Sequence, residues 1–410
     1  GIMTKTSQMK GATKLTVDGV VAITDLVEYI HHTINTFGLL FDGSGNRRTS
    51  GLTGLVYRNI RTVTHLAGWC LDRTLNQLGP LLERYGEGDW ERTTRNQALR
   101  AALNGLIGDY LAAQKNPLAL PMELHWKGGV IDLDAPSFKH PLTQALKSSD
   151  GELLLLIHGS CMSAQAWCRG GHDHGAALVK EKGIPPLYLQ YNSGLHISQN
   201  GRALAALLER LSSWVGRPLR LKILSHSMGG LVARSACHYA KREGYRWLKG
   251  LDKLVFLGTP HHGAPMERGG KWIDVLLKLH PYSAPFARLT EVRSAGINDL
   301  RYGNLLDTDW KGEDGASVSM DPREAVPLPV GVDCYAAAAV APQGALKRAT
   351  LSPGDGLVPL DSALGRHPLP ARRLSFPPDQ QWIGEGLSHM GLLSDLKVYD
   401  VIKGWLDSSL

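Results

Sequence analysis

The chain has 410 residues, 43% apolar and 20% charged, enough for a full core in one large domain or in two to three smaller ones. Its formal net charge is +7, but no dense Lys/Arg block interleaved with aromatics occurs, so nucleic-acid binding is not expected and a mildly basic, solvated surface is. Five cysteines, an odd number without a C-x-x-C, argue against a disulfide framework or zinc knuckle and for reduced, mostly buried thiols. Cys161 and Cys168 are close enough in sequence to pair, which spacing alone does not decide.

No apolar run approaches the roughly 18 residues of a membrane span. The opening GIMTKTSQMKGATK lacks the apolar core of a secretory leader, and a cytoplasmic setting is expected.

Residues 1–118 predict a helical N-terminal extension. Val20, Ile23, Leu26, Val27, Ile30 and Ile34 recur at spacings of three and four, with His31-His32 on the surface. A second such face runs from Leu52 to Leu71, and a third, from about Thr93 to Lys115, carries Leu99, Leu103, Leu106 and Leu111. The polar faces have mixed charge, which favours packing in a bundle over lying on a membrane. From 119 the pattern changes to short apolar runs alternating with helical stretches. The runs are Met122–Trp126, Val130–Leu133, Leu153–Ile157, Leu187–Tyr191, Leu219–Leu224, Leu254–Leu257 and Val332–Val340. Helices are predicted over Gly201–Trp214, Met228–Arg242 and Leu396–Leu406. Such alternation predicts an α/β class with a mostly parallel sheet covered on both faces, its core formed by 119–263 and 329–410. Residues 264–328 break the alternation and are expected to be an inserted cap, whose Trp272-Ile273 and Leu276-Leu277 surface would suit an apolar acyl group.

The stretch KILSHSMGGLVAR, 222–234, reads as strand, sharp turn and helix, with Ser227 at the turn. A serine exposed on such an elbow is a candidate nucleophile once a base takes its proton. Small residues are needed on both sides; Gly229 and Gly230 supply one side, and Ser225 stands where glycine is usual. Downstream, Asp355 lies in the Gly-flanked turn of LSPGDGLVPLDSAL after a predicted strand, with Asp361 as a weaker competitor. His389, in EGLSHMGLLSD between the last strand region and the C-terminal helix, completes the order Ser, Asp, His. Upstream, LLLLIHGS ends a buried strand in His158-Gly159, so the N–H groups of Ser160 and Met228 are expected to face a developing oxyanion, with Cys161 as the alternative to Ser160.

Other histidines read as structural. Asp173 in His172-Asp173-His174 suits a helix N-cap better than a metal site. His261-His262 suits a turn, and His226 suits packing beside the elbow; His196, with Asn192 and Asn200, has no assignable role.

Together the runs HGSCMSAQAW, HDHGAAL, YNSGLHISQNGRAL, HSMGGLVARSA, VFLGTPHHGAPMERGG, YAAAAV, GDGLVPLDSALG and SHMGLL resemble bacterial α/β-hydrolases of the lipase and GPI inositol-deacylase-like group, over about 120–408. The resemblance implies an α/β-hydrolase fold with Ser227 as nucleophile, Asp355 as acid and His389 as base. It implies cleavage of a small-molecule or lipid carboxylic ester without metal or cofactor, and leaves peripheral membrane contact and oligomeric state open. A thioesterase or amidase would use the same residues. A catalytically silent binding protein on this fold is the rival, and Ser225 is what speaks for it.

Overall fold

The structure is a computed structural model describing residues 90–264, 275–277, 294–311, 322–342 and 354–407. The two helices expected before residue 72, His31-His32 and Trp272-Ile273 lie outside the described residues.

The segment Leu153–Ile157 has no polar position to offer water, and all five side chains are completely buried. A strand apolar on both faces must be covered on both, which in practice means a parallel sheet under helices. The sheet has eight strands in the order β2-β1-β4-β3-β5-β6-β7-β8. These are β1 Glu123–Trp126, β2 Gly129–Val130, β3 Glu152–Ile157, β4 Pro186–Gln190, β5 Arg220–His226, β6 Leu251–Leu257, β7 Asp333–Val340 and β8 Gln381–Glu385. β1 runs antiparallel to both β2 and β4, and the remaining pairings are parallel.

Among the described residues the helices include α1 Trp90–Ala113, α2 Pro141–Ser148, α3 His174–Lys182, α4 Ile197–Val215, α5 Met228–Glu243, α6 Ala295–Tyr302, α7 Asp307–Trp310, α8 Leu360–Ala363 and α9 Leu396–Asp407. α3, α4 and α5 each end on a left-handed glycine, Gly183, Gly216 and Gly244. α4 and α5 touch closely at Gly201, where an added Cβ would fall 2.1 Å from Ser235 Oγ. α9 is tied to α3 by Lys403–Glu181 at 2.8 Å and by Lys182–Asp407.

The molecule divides into two compact units. One holds residues up to Leu120 together with Met266–Ala295, and the other holds Pro121–Pro265 and Gly296–Leu410. In the first, Leu99, Leu103, Leu106 and Leu111 of α1 are all buried. α1 kinks at Ile107 (φ −137°, ψ 20°), where Ser294 Oγ donates to the Gly105 carbonyl at 2.6 Å. A side chain inserted into the hydrogen-bond ladder is a recognised cause of such a bend.

Two expectations change, and the competitor Asp361 is located. Val130–Leu133 is not a strand beyond Val130, because Asp132 Oδ1 takes the Asp134 N–H at 2.9 Å and turns the chain. Leu276 and Leu277 are buried, so they offer no apolar surface to an acyl chain. Asp361 lies in the first turn of α8 and pairs with exposed Arg366 at 3.2 Å. No described helix is long and apolar enough to cross a membrane.

Candidate active site

β5 ends at His226 and α5 begins at Met228, so the whole reversal falls on Ser227, at φ 52° and ψ −123°. An L-residue holds such a conformation only where its surroundings enforce it. Here the Ser227 N–H donates to Leu257 O at 2.9 Å, and its carbonyl accepts from Thr259 Oγ1 at 2.9 Å and from the Gly230 N–H at 3.0 Å. A Cβ at Gly229 would lie 2.3 Å from the Ile157 carbonyl, so a side chain there would drive α5 off β3. Ser225 is fully buried and fits because its Oγ turns into the sheet and donates to Val255 O at 2.8 Å.

The acid and base arrive on the loops after β7 and β8. His389 Nδ1 donates to Asp355 Oδ2 at 2.6 Å, and both side chains are only 1% exposed. The other carboxylate oxygen accepts the Leu357 and Val358 N–H groups at 2.9 and 2.8 Å, which fixes its orientation. That pairing leaves His389 Nε2 to act, and this atom is buried with no hydrogen-bond partner. A serine on a strand-to-helix elbow inside a mostly parallel sheet, with an Asp–His pair on later strand ends, decides the architecture. The chain has the α/β-hydrolase fold.

In this hydrolase fold the loop after β3 borders the elbow: a Cβ on Gly159 would lie 3.1 Å from Ser227 Cβ. His158 Nδ1 donates to the Gly159 carbonyl at 2.8 Å. The imidazole is stacked on Tyr191, with centroids 4.2 Å apart. A trans peptide points its C=O and N–H in opposite directions, so holding the Gly159 carbonyl directs the Ser160 N–H the other way. Among the described residues neither Ser160 N–H nor Met228 N–H has a partner. The Cys161 N–H, by contrast, is spent on Ser193 Oγ at 2.9 Å. Burial pushes the Cys161 thiol up to about 11, so it stays protonated and is no rival nucleophile. The four described cysteines, Cys161 and Cys168 included, are free thiols.

His226 does more than pack. Its Nε2–H donates to the His389 carbonyl at 3.0 Å, with the two rings 4.6 Å apart. Burial, reinforced by the neighbouring His389, holds its pKa well below the usual value, so it stays a neutral donor. His174 acts similarly on the same loop, donating from Nε2 to Leu392 O at 2.9 Å while its Nδ1 meets His172 Nε2 at 2.8 Å. The spacing of residues 226 and 389 carries no signal for that contact. Asp173 caps α3 through the Ala176 N–H at 3.1 Å. His196 starts α4, binds Asp299 Oδ2 through Nδ1 at 2.8 Å and stacks on Trp310 at 3.6 Å, an anchor for the α6–α7 segment. Asn200 Nδ2 donates to Asn192 O at 2.9 Å and closes the turn before α4.

Residues 131–296 match a family model described as DUF7379, a domain of unknown function, over less than half of the chain. No curated protein matches. Solved structures similar to this chain include the mature lipase BlEst2 of Bacillus licheniformis, at 18% identity and TM-score 0.40, covering 62% of this chain and 91% of that one. Lipase B of Aspergillus fumigatus is similar at 13% identity and TM-score 0.37, covering 61% and 51%. The type II thioesterase BorB of the borrelidin biosynthetic cluster is similar at 12% identity and TM-score 0.36, covering 69% and 96%.

Proposed function

We propose that this chain is a serine hydrolase that cleaves carboxylic esters through an acyl-enzyme. The observation that carries the reading is the buried Asp355–His389 pair, at 2.6 Å, beside a serine forced to φ 52°. Ser227 Oγ attacks the ester carbonyl as His389 Nε2 takes its proton. Asp355 holds the imidazole tautomer and stabilises the imidazolium. The unpartnered N–H groups of Ser160 and Met228 receive the oxyanion; such a donor is worth about 10²–10³ in rate. The alcohol leaves with the proton from His389, and water activated by the same imidazole releases the acid.

In this reading 119–263 and 329–410 are the catalytic core, 264–328 a cap and 1–118 a helical extension. Membership of the bacterial lipase and GPI inositol-deacylase-like group, and a cytoplasmic setting, rest on the motif runs and are part of the proposal. The substrate is a small-molecule or lipid ester.

The test is turnover of p-nitrophenyl esters from acetate to palmitate, with folded Ser227→Ala protein as control. A loss of about 10⁴-fold or more in kcat is expected for the variant. Undiminished turnover in the variant removes Ser227 from the mechanism. Absence of turnover on every ester by the unmodified, folded protein overturns the esterase reading and favours a binding protein on this fold.

A further inference from the structure

About two turns along α5 from Ser227, Arg234 is 4% exposed and forms no ion pair among the described residues. Its Nη1 donates to His261 Nδ1 at 3.3 Å and its Nη2 to Val326 O at 2.6 Å. Its Nε–H is buried without any partner. A buried cation facing only neutral acceptors is costly, and the usual remedy is a carboxylate. Asp309, a carboxylate whose field reaches Arg234, forms no ion pair with it and is held elsewhere: Oδ2 accepts the Leu305 and Leu306 N–H groups at 2.8 and 3.0 Å, and Oδ1 accepts that of Glu324 at 3.0 Å. His261 adds no negative charge. It is fully buried, and burial beside Arg234 keeps it neutral.

Arg234 borders a small cavity, together with Arg323, Glu324, Val326, Arg372 and Leu374. The cavity measures about 50 Å³, whereas one water needs roughly 10–15 Å³ by the same kind of measure. Arg323 is held in place by the carbonyls of His261 at 3.2 Å and Gly303 at 3.1 Å and by His262 Nδ1 at 3.1 Å. Arg372 donates to the Arg323 carbonyl. Glu324 is the acid on the wall, and its exposed carboxylate accepts Thr308 Oγ1 at 3.2 Å. Among the described residues four arginines, Arg234, Arg323, Arg372 and Arg373, and one acid, Glu324, line a space larger than a water, and the buried one, Arg234, has no carboxylate within ion-pair distance. Burial first, then Arg323, lowers the Arg234 pKa to about 9, the response expected of a cation awaiting an anion.

We propose that this cavity binds a small oxyanion of the phosphate class, with Arg234 as its buried anchor and Arg323 and Arg372 as its walls. Planar guanidinium forks match the paired oxygens of such an ion better than they match a halide. Ser227, Asp355 and His389 are not among the residues lining this cavity, and the proposal stands whether or not the chain hydrolyses esters.

The test is thermal unfolding and calorimetric titration of the full chain with sodium phosphate, at fixed pH and ionic strength, against sodium chloride. Phosphate at about 20 mM is expected to raise Tm by about 2–5 °C over chloride. Arg372→Gln, at the cavity wall, is expected to weaken phosphate binding about tenfold, and Arg234→Met to abolish it. Where Arg234→Met fails to fold, Arg372→Gln decides alone. No phosphate-specific rise in the unmodified protein, an equal rise with chloride, or unchanged affinity in Arg372→Gln overturns the proposal. Glycerol phosphate as a second probe separates an esterified ligand, bound as well as phosphate, from a free ion, and either outcome supports an oxyanion site.

Discussion

Ser225 shows how a turn built for glycine admits a hydroxyl. The side chain bonds Val255 O on the neighbouring strand and leaves the backbone of the elbow undisturbed. Ser225→Gly is therefore expected to cost about 1 kcal/mol, the net worth of one hydrogen bond, and to leave kcat/KM within about twofold. Urea midpoints and ester turnover measured together check this, and a collapse of kcat would give Ser225 a direct part in the chemistry. The candidates Ser227 and Asp355 are legible in the sequence because each follows an apolar run, and the candidate His389 because it comes next in the Ser, Asp, His order of this architecture. The tie from His226 to the His389 carbonyl is not legible. A histidine beside the elbow reads as filler until the loop after β8 is seen folded against it.

The parallel strands are locked in register at their N-terminal ends by buried amines. Lys222 of β5 is 2% exposed and bonds Glu152 of β3 at 3.1 Å and Asp252 of β6 at 2.8 Å. Lys253 of β6 is 3% exposed and reaches Asp333 of β7 at 3.7 Å and Tyr335 Oη at 3.1 Å. A slip in pairing would strand these charges, so the rungs select one alignment. Lys222→Ala leaves two carboxylates facing each other across β5. It is expected to destabilise the fold by about 2 kcal/mol, below the usual cost of breaking a buried pair because both acids are partly exposed. A denaturant midpoint unchanged from the parent would rule this out. β3, β5, β6 and β7 are readable as apolar runs, whereas β8, QWIGE, is a half-exposed edge strand that no apolar run announces. The start of α4 at Ile197 rather than Gly201 follows from its His196 cap, which composition does not reveal.

Acid should weaken the molecule as a whole. His158 and His174 are 1% and 0% exposed, and burial lowers each pKa to about 4. Their unfolded forms take up protons below about 6.5, and the folded forms resist until about 4. Stability is therefore full above pH 6.5 and declines as the pH falls towards 4, with each histidine contributing a loss approaching about 3 kcal/mol. Urea midpoints at pH 7.5 and 4.5 should differ accordingly, and a flat profile would contradict the burial argument. The fold class and the order of the site residues come through in the sequence because strand-helix alternation is a periodic signal. The counter-charge economy of the interior does not, since Arg234 and His261 look like ordinary helix and turn residues until their surroundings are known.

The positive φ of Ser227 sets fitness and robustness against each other at one position. Holding a non-glycine residue there costs about 1–3 kcal/mol, and glycine would occupy the same turn with little strain. A breeding scheme that rewarded only survival to heat would therefore drift towards Ser227→Gly, enriching hardier proteins that had lost the hydroxyl on which the proposed ester cleavage rests. Improvement of this protein needs a screen that scores turnover and heat resistance in the same well.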